Sequence, residues 1–346
     1  MTMRIVTNNQ KIISFACQKL IFFLRFPVIR IKKHSFYRHL RFLPAGLLIL
    51  LYSCKGGIQA DQETPTRGNI KITADESFKP FVDSEVFTFT HLYTNAKIKA
   101  QYKPEFDVIN DFMNDSVKVI VSSKKLTEDQ IRYLRDTLVV ARTVTVAYDA
   151  LALVINRNNY DTLLKYDDIK DVFLGKKKTW KELDPKSKLG DISVIFDNTK
   201  SGNIRYFKEL YDIQGNLPEN FFAVNNNEEV VNFVSRNSDA LGILSVNWIS
   251  DKDDSTGMSL VKKVRVAGIS KPFFDDNTYY RPDQGWIYDR SYPFVREIYL
   301  ISRESFTGLG SGFIQWVASD RGQTIVLKSG LVPATMPIRL VQVKKE

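Results

Sequence analysis

From Gly68 onward, apolar residues recur with two alternating periods. Ile70-Lys71-Ile72-Thr73 alternates apolar and polar positions, the pattern of a half-buried strand. It runs into Ala74-Asp75-Glu76-Ser77-Phe78, a turn opening a helix that carries Phe81, Val86, Phe87 and Phe89. Lys97 to Tyr102 alternates again, and Val117 to Val121 reads as a buried strand. Thr127-Glu128-Asp129-Gln130 is a capping box opening a helix through Leu134. The same alternation continues with a strand over Ala150–Asn156, a helix over Tyr166–Phe173, a loop holding Trp180 and a strand over Ile192–Phe196. After Asn203 a helix places Ile204, Phe207, Leu210 and Tyr211 on one face. Further on come a helix over Glu228–Val234, strands over Ala240–Val246 and Tyr299–Ser302, a helix over Gly312–Val326 and a last strand over Ile338–Val343. Strand and helix in alternation predict α/β layers around a largely parallel sheet.

Three strand ends carry hydroxyls. The strongest is Thr199-Lys200-Ser201-Gly202-Asn203, between a strand and a helix. A helix N-terminus offers unpaired N–H donors and partial positive charge. There Ser201 adds a hydroxyl, Gly202 lets the backbone approach closely and Lys200 brings charge. Asp75-Glu76-Ser77-Phe78 has the same architecture, and Ser122-Ser123-Lys124-Lys125 follows a buried strand. Open α/β sheets bind ligands beyond the carboxyl ends of their strands, so these are the candidate seats.

Charge narrows the partners. The chain of 346 residues has 49 Lys plus Arg and 39 Asp plus Glu, a formal +10. Nine of the basic residues lie within residues 1–53, which hold no acidic residue, leaving 40 basic against 39 acidic afterwards. The basicity belongs to the leader, and nothing in the body predicts nucleic-acid binding. Lys32, Lys33, Arg38 and Arg41 precede an apolar run, Phe42 to Leu51, too short to span a bilayer. That order predicts a secretory signal. Leu51-Tyr52-Ser53-Cys54 resembles the lipobox of bacterial lipoproteins, with Cys54 as the acylated residue and Lys55 to Arg67 as a tether.

Thiol and imidazole chemistry are nearly absent from the body. Cys17 lies in the leader and Cys54 is the expected anchor, so no disulfide and no Cys-rich metal site is expected. His34 and His39 also lie in the leader, and His91 alone supports neither a two-His zinc site nor, without a Gly-x-Ser-x-Gly elbow, a triad. No carboxylate spacing marks an acid–base pair. An enzyme is not expected, nor is a cofactor.

The chain from about Gly68 to Val343 resembles the phosphate-binding lipoproteins of phosphate ABC importers, within the type 2 periplasmic solute-binding superfamily. The resemblance rests on Ala147-Tyr148-Asp149-Ala150-Leu151-Ala152-Leu153-Val154-Ile155-Asn156, Val172-Phe173-Leu174-Gly175 with Trp180, and Ala240-Leu241-Gly242-Ile243. Tyr292-Pro293-Phe294-Val295-Arg296-Glu297-Ile298-Tyr299 and the stretch Gly322 to Pro333 complete it. It implies two α/β lobes, each a mostly parallel sheet flanked by helices, joined by two crossover strands and closing around an oxyanion. The expected divisions are a signal peptide over 1–53, a linker over 54–67, a first lobe over 68–147 and 291–346, and a second over 148–290.

Residue by residue, the resemblance places a first-lobe contact on Ser77-Phe78 and a helix start on Ser201-Gly202-Asn203, with Asn where the family has Thr. The family's proton-accepting aspartate falls on Ser123, its arginine on Asp197, and its Gly- and Ser-rich segment on Lys103-Pro104-Glu105-Phe106. Lys124, Lys200 and Arg205 are the candidates to restore positive charge. The implied function is capture of phosphate or a similar oxyanion for a permease, outside the cytoplasm and on a lipid anchor. A serine in place of the aspartate donates as well as accepts, which predicts weaker discrimination of phosphate from sulfate. Asp197 and the rewritten 103–106 segment favour a different expectation, an envelope interaction or sensing protein that keeps the fold without binding phosphate.

Overall fold

A computed structural model describes residues 63–250, 255–273 and 277–337, all within one unit, Asp61–Glu346. The leader, the Cys54 lipobox and the expected strand over 338–343 lie outside the described residues.

The first strands are β1 (Gly68–Asp75), β2 (Ala96–Lys103) and β3 (Val119–Ser122), with β1 parallel to both others. The long β4 (Arg142–Asn156) follows, then β5 (Leu163–Leu164), β6 (Ser193–Phe196), β7 (Phe221–Ala223) and β8 (Ala240–Ser245). Here β6 is the hub, parallel to β7 and β8. Last come β9 (Val264–Val266), β10 (Gly268–Ser270), β11 (Tyr279–Tyr280), β12 (Val295–Ser302) and β13 (Val332–Pro333).

The order β2-β1-β3-β12-β4-β8-β6-β7 makes one sheet, which β9 and β13 also join through β4. Its outer strands are parallel, whereas β12 is antiparallel to both β3 and β4, and β4 to β8. The centre therefore departs from the mostly parallel expectation. The reason is β4 itself: residues 142–150 pair with β12, and residues 151–155 pair with β8. One continuous strand thus serves both lobes. The first contains β1–β3 and β12, the second β6–β9.

Both faces of the sheet are covered, and side-chain alternation distributes the core. In β3, Val119 and Val121 join the main core while Ile120 faces a second cluster with Val108, Phe112 and Leu134. In β4, Leu151 and Leu153 join the main core while Ala152 and Val154 pack with Val230, Val231 and Leu244. The expected capping box of Thr127 and Gln130 is present, with both hydrogen bonds, at the helix Glu128–Asp136.

Two elements differ from expectation. Trp180 begins a short helix, Trp180–Leu183, rather than lying in a loop. The single helix expected over 312–326 is two, Leu309–Val317 and Asp320–Lys328. Gly322 permits that corner: a Cβ there would come 2.4 Å from the Trp316 carbonyl. His91 is exposed in the last turn of the helix Lys79–Leu92.

Candidate binding site between the lobes

Strands β1, β3 and β6 end toward the same seam between the lobes. Asp75 ends β1 and accepts from the Ser77 amide at 3.0 Å, folding the chain into the 3-10 turn Glu76–Phe78. Ser122 ends β3, with Ser123 beside it. Beyond β6, Ser201 caps the helix Gly202–Leu210, its Oγ accepting from the Ile204 amide at 3.4 Å. Gly202 sits at a close approach between the lobes. A Cβ there would lie 2.6 Å from Asp75 Oδ2, 2.9 Å from Ser123 Oγ and 3.0 Å from Glu105 Cδ. The expected glycine is thus required by close approach.

Polar contacts cross the seam at several points. Ser77 Oγ donates to Asn203 Oδ1 at 3.1 Å, and the Ser77 carbonyl accepts from Asn247 Nδ2 at 2.8 Å and Trp248 Nε1 at 3.0 Å. Asn227, opening the helix Asn227–Arg236, donates from its backbone amide and side chain to Glu76. Asp197 takes the Ser201 hydroxyl at 2.7 Å and Asn203 Nδ2 at 3.1 Å.

Glu105 opens the helix Glu105–Met113 and is 2 % exposed. Its Oε1 accepts from Ser122 Oγ at 3.1 Å, the Ser123 amide at 2.9 Å and Ser123 Oγ at 2.6 Å. Arg205 of the second lobe pairs with the same carboxylate through Nε and Nη2, and Nη2 also reaches Ser123 Oγ at 3.0 Å. At the floor, Arg296 Nε donates to Asp149 Oδ2 at 2.8 Å, and the guanidinium lies 4.8 Å from the Phe78 ring centroid. Two polar atoms of the cluster, Asp75 Oδ2 and Arg296 Nη2, are buried without a hydrogen-bond partner.

The carboxylates are not equivalent. Burial pushes the Asp75 carboxyl up to about 8, with neighbouring Glu105 adding to the rise. Burial raises Glu76 to about 7 and moves Asp149 and Asp197 above the ordinary range. Burial also penalises Glu105, but the Arg205 charge, the hydrogen bonds from Arg205 and Ser123, and the more distant Arg296 outweigh it. They hold Glu105 below its ordinary value. Glu105 thus differs from Asp75, Asp149 and Asp197 in that its surroundings favour an anion at that point.

The sequence candidates divide accordingly. Ser77, Phe78, Ser123, Ser201, Gly202 and Asn203 meet in the seam, joined by Arg205. Lys124 and Lys200 do not enter it: they form rim ion pairs across the lobes, with Glu209 and Asp107, each at 3.2 Å. Sequence reasoning missed Asp75, Glu105, Asp149 and Arg296 as site residues. Asp149 had a signal, a charge within an otherwise apolar strand, as did Arg296 at the start of β12. Beside the seam a groove of about 740 Å³ reaches Glu105, Phe106, Ser201 and Arg205. Among the described residues, no His, Cys, Asp and Glu group is arranged to hold a metal ion, and no helix is long and apolar enough to cross a membrane.

The profile of the PBP superfamily domain matches residues 59–321. The chain belongs to that superfamily. Among curated PBP relatives, the phosphate-binding protein PstS of Staphylococcus saprophyticus is 22% identical over 284 residues, covering 81% of this chain and 84% of its own. PstS of Staphylococcus aureus is 21% identical over 282 residues, covering 80% and 82%. Among solved PBP structures, a putative phosphate ABC transporter substrate-binding protein from Clostridium perfringens, with bound phosphate, superposes with a TM-score of 0.66. It shares 22% identity and covers 77% of this chain and 100% of its own. An ABC-type phosphate transport receptor from Vibrio cholerae gives 0.59 at 18% identity, covering 77% and 100%. These structures share the two-lobed fold, and the resemblance read from the sequence points to the same group.

Proposed function

We propose that this PBP superfamily member is a lipid-anchored extracytoplasmic solute-binding protein, not an enzyme, that holds a phosphate-like oxyanion between its lobes for a permease. The supporting observation is the seam. Hydroxyl and amide donors from both lobes converge there with two arginines, while Arg296 Nη2 and Asp75 Oδ2 keep unused hydrogen-bonding capacity. In this reading Arg296 and Arg205 supply the charge that Asp197 does not. Ser123 donates as well as accepts, and Asp75 is held protonated at neutral pH, so phosphate is only weakly preferred to sulfate. Ser77, Ser123, Ser201, Gly202 and Asn203 are the contacts of either lobe, and closure removes the ligand from water. Cys54 carries the lipid after removal of residues 1–53, residues 54–67 form the tether, and the lobes divide at about 147 and 290.

Titration calorimetry of the full chain with phosphate, sulfate and molybdate tests this, together with mass spectrometry of the anions retained on native purification. The expected result is retained phosphate and binding heat with both phosphate and sulfate, phosphate being only weakly preferred at neutral pH. Flat titrations with all three anions overturn it. A second reading, an envelope sensing or interaction protein without phosphate binding, is favoured by one observation: Glu105 already occupies the Ser122 and Ser123 donors. Flat titrations together with co-purification of a membrane complex select it.

A further inference from the structure

A carboxylate is itself a small oxyanion, and the environment of Glu105 is that of a bound ligand. One main-chain amide, two hydroxyls and a guanidinium converge on it, drawn from two strand-end serines of the first lobe and one helix of the second. Its neighbours Asp75, Asp149 and Asp197 are all shifted by burial toward their neutral forms, whereas Glu105 is held ionised. The segment bearing it is one of the three places where the chain departs from the family pattern.

We propose that Glu105 is the seam's own anion: its carboxylate occupies donors that an entering oxyanion uses and ties the first lobe to the second through Arg205. This deepens the oxyanion reading and rests on it for the ligand, though not for the closure. An entering anion binds by exchange, taking the Ser123 amide, Ser123 hydroxyl and Arg205 as Glu105 swings out. The adjacent groove, which Glu105 itself lines, is the space that receives the displaced side chain. The same Glu105–Arg205 pair holds the lobes together. The energetic logic is differential: a ligand gains only what exceeds the internal carboxylate it replaces. A dianion or a ligand with an additional donor displaces Glu105 more readily than a monoanion such as nitrate.

Hydrogen exchange on the full chain reads this through two amides that donate across the seam, Phe106 N to the Lys200 carbonyl at 3.2 Å and Asn227 N to Glu76 at 3.2 Å. Glu105→Gln and Arg205→Met are expected to speed exchange at both by about tenfold or more while leaving peptides of β6 and β8 unchanged, which also shows that the variants are folded. Inorganic phosphate is then expected to restore protection in Glu105→Gln. Acceleration that phosphate does not reverse supports the internal anion and removes the oxyanion reading. Exchange at Phe106 and Asn227 that stays at the wild-type rate in both variants overturns the proposal.

Discussion

Glu105 and Glu304 are both buried carboxylates that accept main-chain and hydroxyl donors, and they do different things. Glu304 is 5 % exposed and takes the Gly310 amide at 2.9 Å, the Ser311 amide at 2.6 Å and the Ser311 hydroxyl at 2.6 Å. All three belong to the first turn of the helix Leu309–Val317, six or seven residues along the chain, and Glu63 satisfies the neighbouring Leu309 amide at 2.9 Å. The Glu304 contacts are a helix cap, complete once the local chain is folded. Glu105 reaches donors 17 and 18 residues away and an arginine 100 residues away in the other lobe. The same chemistry stabilises a fold when its donors are local. It joins separate parts of the fold when they are not.

The strongest perturbation of that contrast acts on the floor of the seam. Arg296→Met leaves Asp149, fully buried, without its cation, and is expected to cost about 3–5 kcal/mol in urea unfolding. A further change of Asp149 to Asn is expected to recover part of the loss, because it removes the stranded charge. Next, Glu304→Ala strands three donors and is expected to cost about 2–4 kcal/mol by the same measurement. It should leave exchange at Phe106 and Asn227 unchanged, and acceleration at both would erase the distinction between cap and latch. Gly202→Ala pushes a methyl group into Asp75, Ser123 and Glu105 and is expected to cost about 1–3 kcal/mol. Unlike Glu304→Ala, it should separate the lobes, seen as faster exchange at the same two amides.

A separate effect is a slope with pH. Asp75 has a folded value of about 8 against an ordinary 3.8, so the folded state holds a proton that the unfolded state has released between those limits. The stability it contributes is fully present below about pH 4 and is lost as pH rises through about 8. Glu76 at about 7 and Glu85 at about 9 act with the same sign. Asp75→Asn is expected to flatten the decline of the urea midpoint over that window. An unaltered decline would show that the proton is held elsewhere.

Most of the scaffold was legible because each strand and helix declares itself locally. The alternation in Ile70–Thr73 and the helix Tyr166–Phe173 depend only on residues within a few positions of each other. The corner at Ala318–Ser319 was not legible, because apolar spacing continues across a bend that only the close packing of Gly322 on Trp316 reveals. In the site, Ser77 and Ser201 could be found from strand-end chemistry. Asp149 and Arg296 could have been found by asking what partner a charge in an apolar strand requires. Glu105 could not. An acidic residue after a proline in a helix's first turn looks like an ordinary solvent-facing one, and only the fold brings Arg205 to it.

Parallel calorimetric titrations of inorganic phosphate into the full chain and its Glu105→Gln variant probe the internal anion at its source. Removing the competing charge while keeping side-chain shape is predicted to tighten phosphate binding by about tenfold or more. Binding that is equal or weaker in the variant would contradict the account, since Glu105 would then be either irrelevant to the seat or part of what holds the ligand.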